Sequence, residues 1–392
     1  MSAAAAGRAL GGAPTTTDDG PLGPWIWGAP TDLVAFGGSA LLALALVALA
    51  PHFAPSGAVP AWATLALVVG VDVAHVWTTL ARTYLDPEER AAHAGLYLAV
   101  PLGCFVAGAL LTRLGSLAFW RVLAYLALLH FVRQQIGWVA IYRARAKLRG
   151  VLDRAIDDAA IYASTLYPVA VWHAHAPRAF DWFVEGDFVA VPSLLPALPA
   201  LRCAWLLALG AYGVRALALG VREGRWLVGK HLVVATTALT WFWGIVGTDA
   251  DFPFTAANVL PHGVPYAVLL WRYARARSDE LARAAGPMRP RGVLVRVVRA
   301  GPLAAVAAVV GLALTEELLW QVLVVRDAAS PFALATGPEL PEVVVALLTP
   351  LLALPQATHY VLDAVLWRRG ATGSAQATAL GFRRASGGAP AN

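Results

Sequence analysis

Four of the nine histidines stand inside long apolar runs, each with polar company at helical spacing. In ALPQATHYVLDAVLWRRG, residues 353–370, His359 is followed four residues on by Asp363 and preceded by three by Gln356. Such spacing puts all three on one helical face. His75 has Asp72 three before it and Thr79 four after it. His130 has Arg133 and Gln134 at plus three and plus four, and His262 has Asn258 and Tyr266 at minus and plus four. Neutral imidazole suits Fe, Zn, Cu and Ni, whereas Mg and Ca want oxygen ligands. A ligating histidine donates its second ring N–H to a carboxylate, amide or carbonyl, and the flanking acids, amides and phenol supply such partners. The pattern therefore marks His75, His130, His262 and His359 as candidate metal ligands. Asp363 is expected to orient His359 or to ligate directly. Tyr266 and Asp363 are the candidate catalytic groups, with Asp72, Gln134, His231, Asn258 and Gln356 as outer partners or further ligands. Iron with open positions would suit oxygen chemistry; zinc and haem are the alternatives.

Other uses of these residues stay open. Polar side chains also join membrane helices through interhelical hydrogen bonds, and a proton or substrate path would use the same groups. Glu316 and Glu317 in ALTEELLWQ are the strongest hint of a transporter or channel with a polar inner vestibule. Their plain reading is a kinked helix with the acids near an interface, close to Arg326. A haem held by two histidines on facing helices is a third reading. His52 and His93 are expected to be solvated and His173 and His175 interfacial, because i and i+2 do not face each other on a helix.

The elements that must carry these residues are membrane spans. The chain has 392 residues, 59% hydrophobic and 14% charged, with a mean hydropathy of +0.63; soluble domains carry about 25% charged residues. Ten apolar runs approach the ~20 residues that cross a bilayer: 32–51, 60–81, 94–113, 116–142, 157–176, 194–219, 226–247, 253–273, 300–325 and 342–367. The fifth is diluted by Asp157, Asp158 and two histidines. The fold class is thus all-α, a polytopic helix bundle at residues 31–370, between a disordered lead-in at 1–30 and a disordered tail at 371–392. Trp25 and Trp27 suit an interfacial belt. Basic loops follow spans four, six and eight and the last span. Between them lie loops with Asp181, Glu185, Asp187, Asp249, Asp251, Asp327, Glu339 and Glu342. This alternation predicts both termini on the cytoplasmic side of a bacterial inner membrane.

With that orientation the four histidines fall on the even-numbered spans two, four, eight and ten. They precede the inner-edge arginines Arg82, Arg143, Arg272 and Arg368 by seven to thirteen residues, roughly 10–20 Å at about 1.5 Å per residue. His231 begins span seven from the inside. A net charge of +6 scattered over short loops does not predict nucleic-acid binding, and Cys104 and Cys203 suggest neither a disulfide framework nor a CxxC site.

NVLPHGVPYAVLLWRYAR around His262 resembles a signature of the Brp/Blh-type carotene dioxygenases, multi-span bacterial proteins that cleave β-carotene with histidine-bound iron. LLHFVRQQIGW around His130 and LPQATHYVLDAVLWR around His359 are similar to that family's histidine helices, and GVDVAHVW around His75 is a looser match. The family places an aspartate shortly after Pro-His-Gly, where this chain has Val264, Pro265 and Tyr266. The resemblance implies a membrane iron site acting by oxygen chemistry on a lipid-soluble substrate. Membrane lipids are the other expected partner, and oligomeric state is not legible.

Overall fold

In the computed structural model, residues 20–284, 292–327, 330–333, 337, 339–367 and 374–382 are described, and among them the fold is all-helical. Seven helices are long and apolar enough to cross a membrane: α1 (Ala29–Ala48), α2 (Ala61–Arg82), α3 (Ala94–Leu114), α4 (Ser116–Arg145), α6 (Pro192–Glu223), α9 (Pro302–Val325) and α10 (Glu342–Leu366). Three further helices lie among them: α5 (Val151–His175), α7 (Val228–Trp241, continued by Phe242–Val246) and α8 (Asp251–Ala284).

The acids that dilute α5 have a structural use. Asp157 accepts from Lys230 Nζ at 2.7 Å and from Arg143 at 3.3 Å, and Asp153 accepts from Arg215 at 2.7 Å. Asp157 and Lys230 are both buried. A buried charge is tolerated when it is paired and hydrogen-bonded, so a charged helix can pack against α4, α6 and α7.

α8 is the central helix. It packs on α1, α2 and α7, and its residues from Phe252 to Ser278 contribute most of its buried face. It meets α2 closely at Gly263. A methyl built there would lie 2.6 Å from Val71 Cγ1 and 3.4 Å from the Val71 carbonyl oxygen. The glycine of Leu-Pro-His-Gly is therefore what lets α2 approach α8 beside His262. Just before His75, residues Thr64–Val73 of α2 wind as a π-helix, an irregularity common at functional sites.

Two expectations change. Trp25 and Trp27 are buried, not interfacial. Trp27 Nε1 donates to the Ala379 carbonyl at 2.8 Å and its ring stacks on Phe36. The tail expected to be disordered contains α11 (Ser374–Ala379), which packs on α8 and buries Ala375, Ala379 and Leu380. The small residues of this segment sit close to the bundle where a larger side chain could not. Residues 1–19 and 383–392 lie outside the described residues, as do Arg368 and Arg369.

At the arginine-rich end the loop between α2 and α3 is anchored by Asp86. Its carboxylate caps the helix Pro87–Ala92 through the backbone N–H groups of Glu88 and Glu89, and accepts from Arg277 Nε at 2.6 Å. Burial alone would raise this carboxyl, but the Arg277 guanidinium, the Glu89 N–H and the Tyr273 hydroxyl together hold it below the usual range.

Two outcomes follow from this packing. Gly263→Ala should lower thermal stability by about 1–3 kcal/mol, the usual cost of overpacking, measured by thermal melting in detergent. Asp86, with its folded pKa depressed, contributes stability that is fully present above its unfolded value of about 3.9. That contribution is lost as pH falls through the lower folded value. Acid melting curves should therefore drop below about pH 4, and Asp86→Asn should flatten that drop.

Candidate metal centre

His75 on α2, His130 on α4, His262 on α8 and His359 on α10 meet inside the bundle. All four are buried, between 1% and 8% exposed. Their rings form a closed circuit. His75 and His262 lie 4.8 Å apart between centroids, His262 and His130 5.1 Å, His130 and His359 4.6 Å, and His359 and His75 5.0 Å. Each pair is close to edge-on, with interplanar angles of 63–82°. Two contacts run between ring nitrogens: His262 Nε2 to His75 Nε2 and His359 Nε2 to His130 Nε2, both 3.2 Å. A contact of that length needs one nitrogen to accept, so each pair holds at least one neutral imidazole.

The surroundings define a direction. His359 Nδ1 lies 2.7 Å from Thr79 Oγ1, which is 3.2 Å from the Tyr266 hydroxyl. Tyr266 donates to Asp363 Oδ1 at 2.7 Å, and Trp367 Nε1 donates to the same oxygen at 3.3 Å. The direct His359–Asp363 pairing expected from i, i+4 spacing is thus not the contact made. Thr79 from α2 and Tyr266 from α8 stand between them. Side chains of a helix lean toward its N-terminus, so spacing alone left room for partners from neighbouring helices. Asp363 still lies close: one carboxylate oxygen falls within 4.8 Å of ligand nitrogens of His130 and His359.

The other expected partners divide. Asp72 sits 3.6 Å from His75 Nδ1. Gln134 does not touch the His130 ring; it donates to the His262 backbone carbonyl at 2.9 Å and so ties α4 to α8. Gln356 donates to the Tyr360 hydroxyl, whose ring lies against His130. Asn258 donates to the Phe254 carbonyl and leaves its Oδ1 without a partner. His231 is apart from the cluster and pairs with the Tyr212 hydroxyl at 2.7 Å; its position at the start of α7 puts it near the arginine-rich end. His173 lies on Tyr125 and faces the Val189 carbonyl. Glu316 is buried and accepts from Trp77 Nε1 at 2.7 Å, and Arg326 reaches the Gly337 carbonyl instead of the acids.

Phe131 was not foreseen. It stacks on the His262 ring at 3.6 Å and 5°. No pattern marks a phenylalanine beside a histidine in an apolar run, and only the rotation of α4 against α8 brings the two rings together. Trp367 is assigned no role from the sequence, although its i+4 spacing from Asp363 is visible there.

The donor set fits a transition metal. Bonds from such an ion to imidazole are about 2.0–2.1 Å, so neighbouring nitrogens sharing one ion would lie roughly 3 Å apart. The two 3.2 Å contacts are near that spacing. The Nδ1 atoms of His75 and His262, on the far side of each ring from Nε2, are buried without a hydrogen-bond partner. All four ligands being imidazole favours Fe, Zn, Cu or Ni over Mg or Ca.

Two cavities approach the cluster from different sides, and one of them reaches it. One, of about 260 Å³, lies between α2, α3 and α10; Thr79 and His359 are on its wall, with Leu80, Pro101, Leu354 and Leu362 around them. The other, of about 610 Å³, extends from the loops opposite the arginine-rich end down to Asp72 and Phe131.

Thr79→Val keeps the shape but removes the hydroxyl between His359 and Tyr266. Leaving these buried groups unpaired should lower stability by about 1–3 kcal/mol, with Thr79→Ser recovering most of the loss in thermal melts. Equal melting of Thr79→Val and the wild type would show that this contact is not formed. No protein-family model, curated protein or solved structure matches the chain.

Proposed function

We propose that the protein is an integral membrane, metal-dependent enzyme, with a non-haem iron held by His75, His130, His262 and His359, acting on a lipid-soluble substrate by oxygen chemistry. One observation carries this reading: four buried imidazoles from four helices pack against one another, with two pairs of ring nitrogens 3.2 Å apart and two overlapping groups, His75–His130–His262 and His130–His359–Asp363, close enough to hold an ion. The short motifs similar to the Brp/Blh-type carotene dioxygenases support iron in particular. Iron bound by neutral imidazoles with positions left open supplies binding and activation of O2.

The chain's own residues have separate tasks. His359 presents Nε2 to the cluster when its proton is on Nδ1, donated to Thr79 Oγ1. Thr79 then donates to Tyr266, and Tyr266 to Asp363, so the tautomer is fixed by a directed row of hydrogen bonds. Tyr266 and Asp363 together hold a proton near the centre. The smaller cavity is apolar and reaches His359 between helices whose outward faces carry exposed Leu98, Leu102 and Leu351. This supports entry of an apolar substrate sideways from the lipid. A porphyrin between two of these rings would displace the other two, which disfavours haem. We also read α5, α7 and α8 as crossings, making ten. Both termini then lie on the arginine-rich, cytoplasmic side of a bacterial inner membrane.

Metal analysis of detergent-purified protein should find about one iron per chain and no intense haem absorption band. His130→Ala and His262→Ala should each lose the metal while the protein still inserts and elutes as a single species. A wild-type protein that takes up no transition metal, even when reconstituted with Fe²⁺ under anaerobic conditions, would refute the assignment.

A further inference from the structure

The larger cavity has a different character from the apolar one. It is walled by Asp72, Asp181, Asp249 and Asp251, and no lysine, arginine or histidine lines it. Asp249 is paired with Arg178 at 2.9 Å; among the described residues the other three carboxylates have no lysine or arginine in ion-pair contact. The mouth is built by three chain segments held together at the end opposite the arginine-rich loops. Phe252 N donates to the Gly57 carbonyl, and Arg178 joins residues 248 and 249. Asn258, 6% exposed, lines the cavity with its Oδ1 unpartnered. At the floor stand Asp72, 3.6 Å from His75 Nδ1, and Phe131, stacked on His262.

We propose that this vestibule is the loading route by which a hydrated divalent transition-metal cation reaches the histidine cluster. Asp181 and Asp251 draw it in at the mouth, and Asn258 Oδ1 and Asp72 receive it lower down. Phe131 is the plug between the floor and the rings. The inference rests on the metal-centre reading above. A cleft lined by one sign of charge with low-dielectric walls concentrates counter-ions and raises association rates. Among the described residues the apolar cavity offers a cation no carboxylate, only threonine and Tyr84 hydroxyls and backbone, and an ion crossing it would lose its hydration largely uncompensated. The carboxylates do not form a resident site of their own: among the described residues, the groups of three or more ligand atoms close enough to share an ion are those at the histidines. They therefore serve passage and not storage.

The test uses full-length protein, stripped with a chelator and reloaded with Co²⁺, whose visible bands report imidazole ligation. Loading is followed in time and at equilibrium. Asp181→Asn with Asp251→Asn, which touches none of the histidines, should slow loading about tenfold or more and leave the final stoichiometry and melting temperature unchanged. Phe131→Ala should speed it. In the wild type, raising salt from about 0.05 to 0.5 M should slow loading through screening, and the double variant should lose that dependence. Wild-type loading that is independent of salt, or equal loading rates in wild type and double variant, would overturn the route while leaving the metal centre standing. Failure of the wild type to bind Co²⁺ at all would overturn both. The salt experiment needs no substitution, so it decides the matter even if the double variant does not fold.

Discussion

Four imidazole rings stacked edge to face inside an apolar bundle constrain everything around them. A ring nitrogen buried away from water must find a partner or leave its desolvation uncompensated. Here the rings meet that demand largely through one another, by two Nε2 contacts of 3.2 Å, and through Thr79. Satisfying it requires four helices to approach within side-chain reach at one depth. Gly263 permits the close approach of α2 to α8, and Gln134 ties α4 to the backbone of α8 at His262 itself.

Among the described residues, no lysine or arginine is ion-paired to the carboxylates beside this centre, Asp72 and Asp363. The buried carboxylates of α5 are taken up by Lys230, Arg143 and Arg215 toward one end. Asp86 is taken up by Arg277 at the same end. Glu316 is held by an indole N–H instead of a cation. Near the cluster the carboxyl of Asp363 is bound by neutral donors, the Tyr266 hydroxyl and the Trp367 indole. Neutral partners leave the imidazole lone pairs free, whereas an arginine at that place would compete with a metal for the carboxylate and repel the ion.

The two cavities divide access by polarity. An apolar one meets the cluster at His359, and an acidic one stops short of it at Asp72 and Phe131. On the proposed reading, these are separate approaches for an ion and for a lipid-soluble molecule. α2, α4, α8 and α10 provide both, because each presents one face to the rings and another to a cavity.

Much of this architecture is written in the order of the residues. Long apolar runs can only be helices in a membrane, because no water is present to satisfy an open backbone. The alternation of arginine-rich and acidic loops puts the four histidine helices in register, so a shared depth was readable from counting to the arginines at the arginine-rich end. Helix rotation and lateral neighbours were not readable. Period 3.6 places Asp363 beside His359, yet the contact belongs to Thr79, 280 positions away in the chain. Asp157 looks like a flaw in a span until Lys230 is seen against it. The tail looks featureless until α11 is packed on α8 beneath Trp27. Local spacing determines which face a residue occupies. Which side chain meets that face depends on how whole helices turn about their axes, and that is set by the summed packing of the bundle.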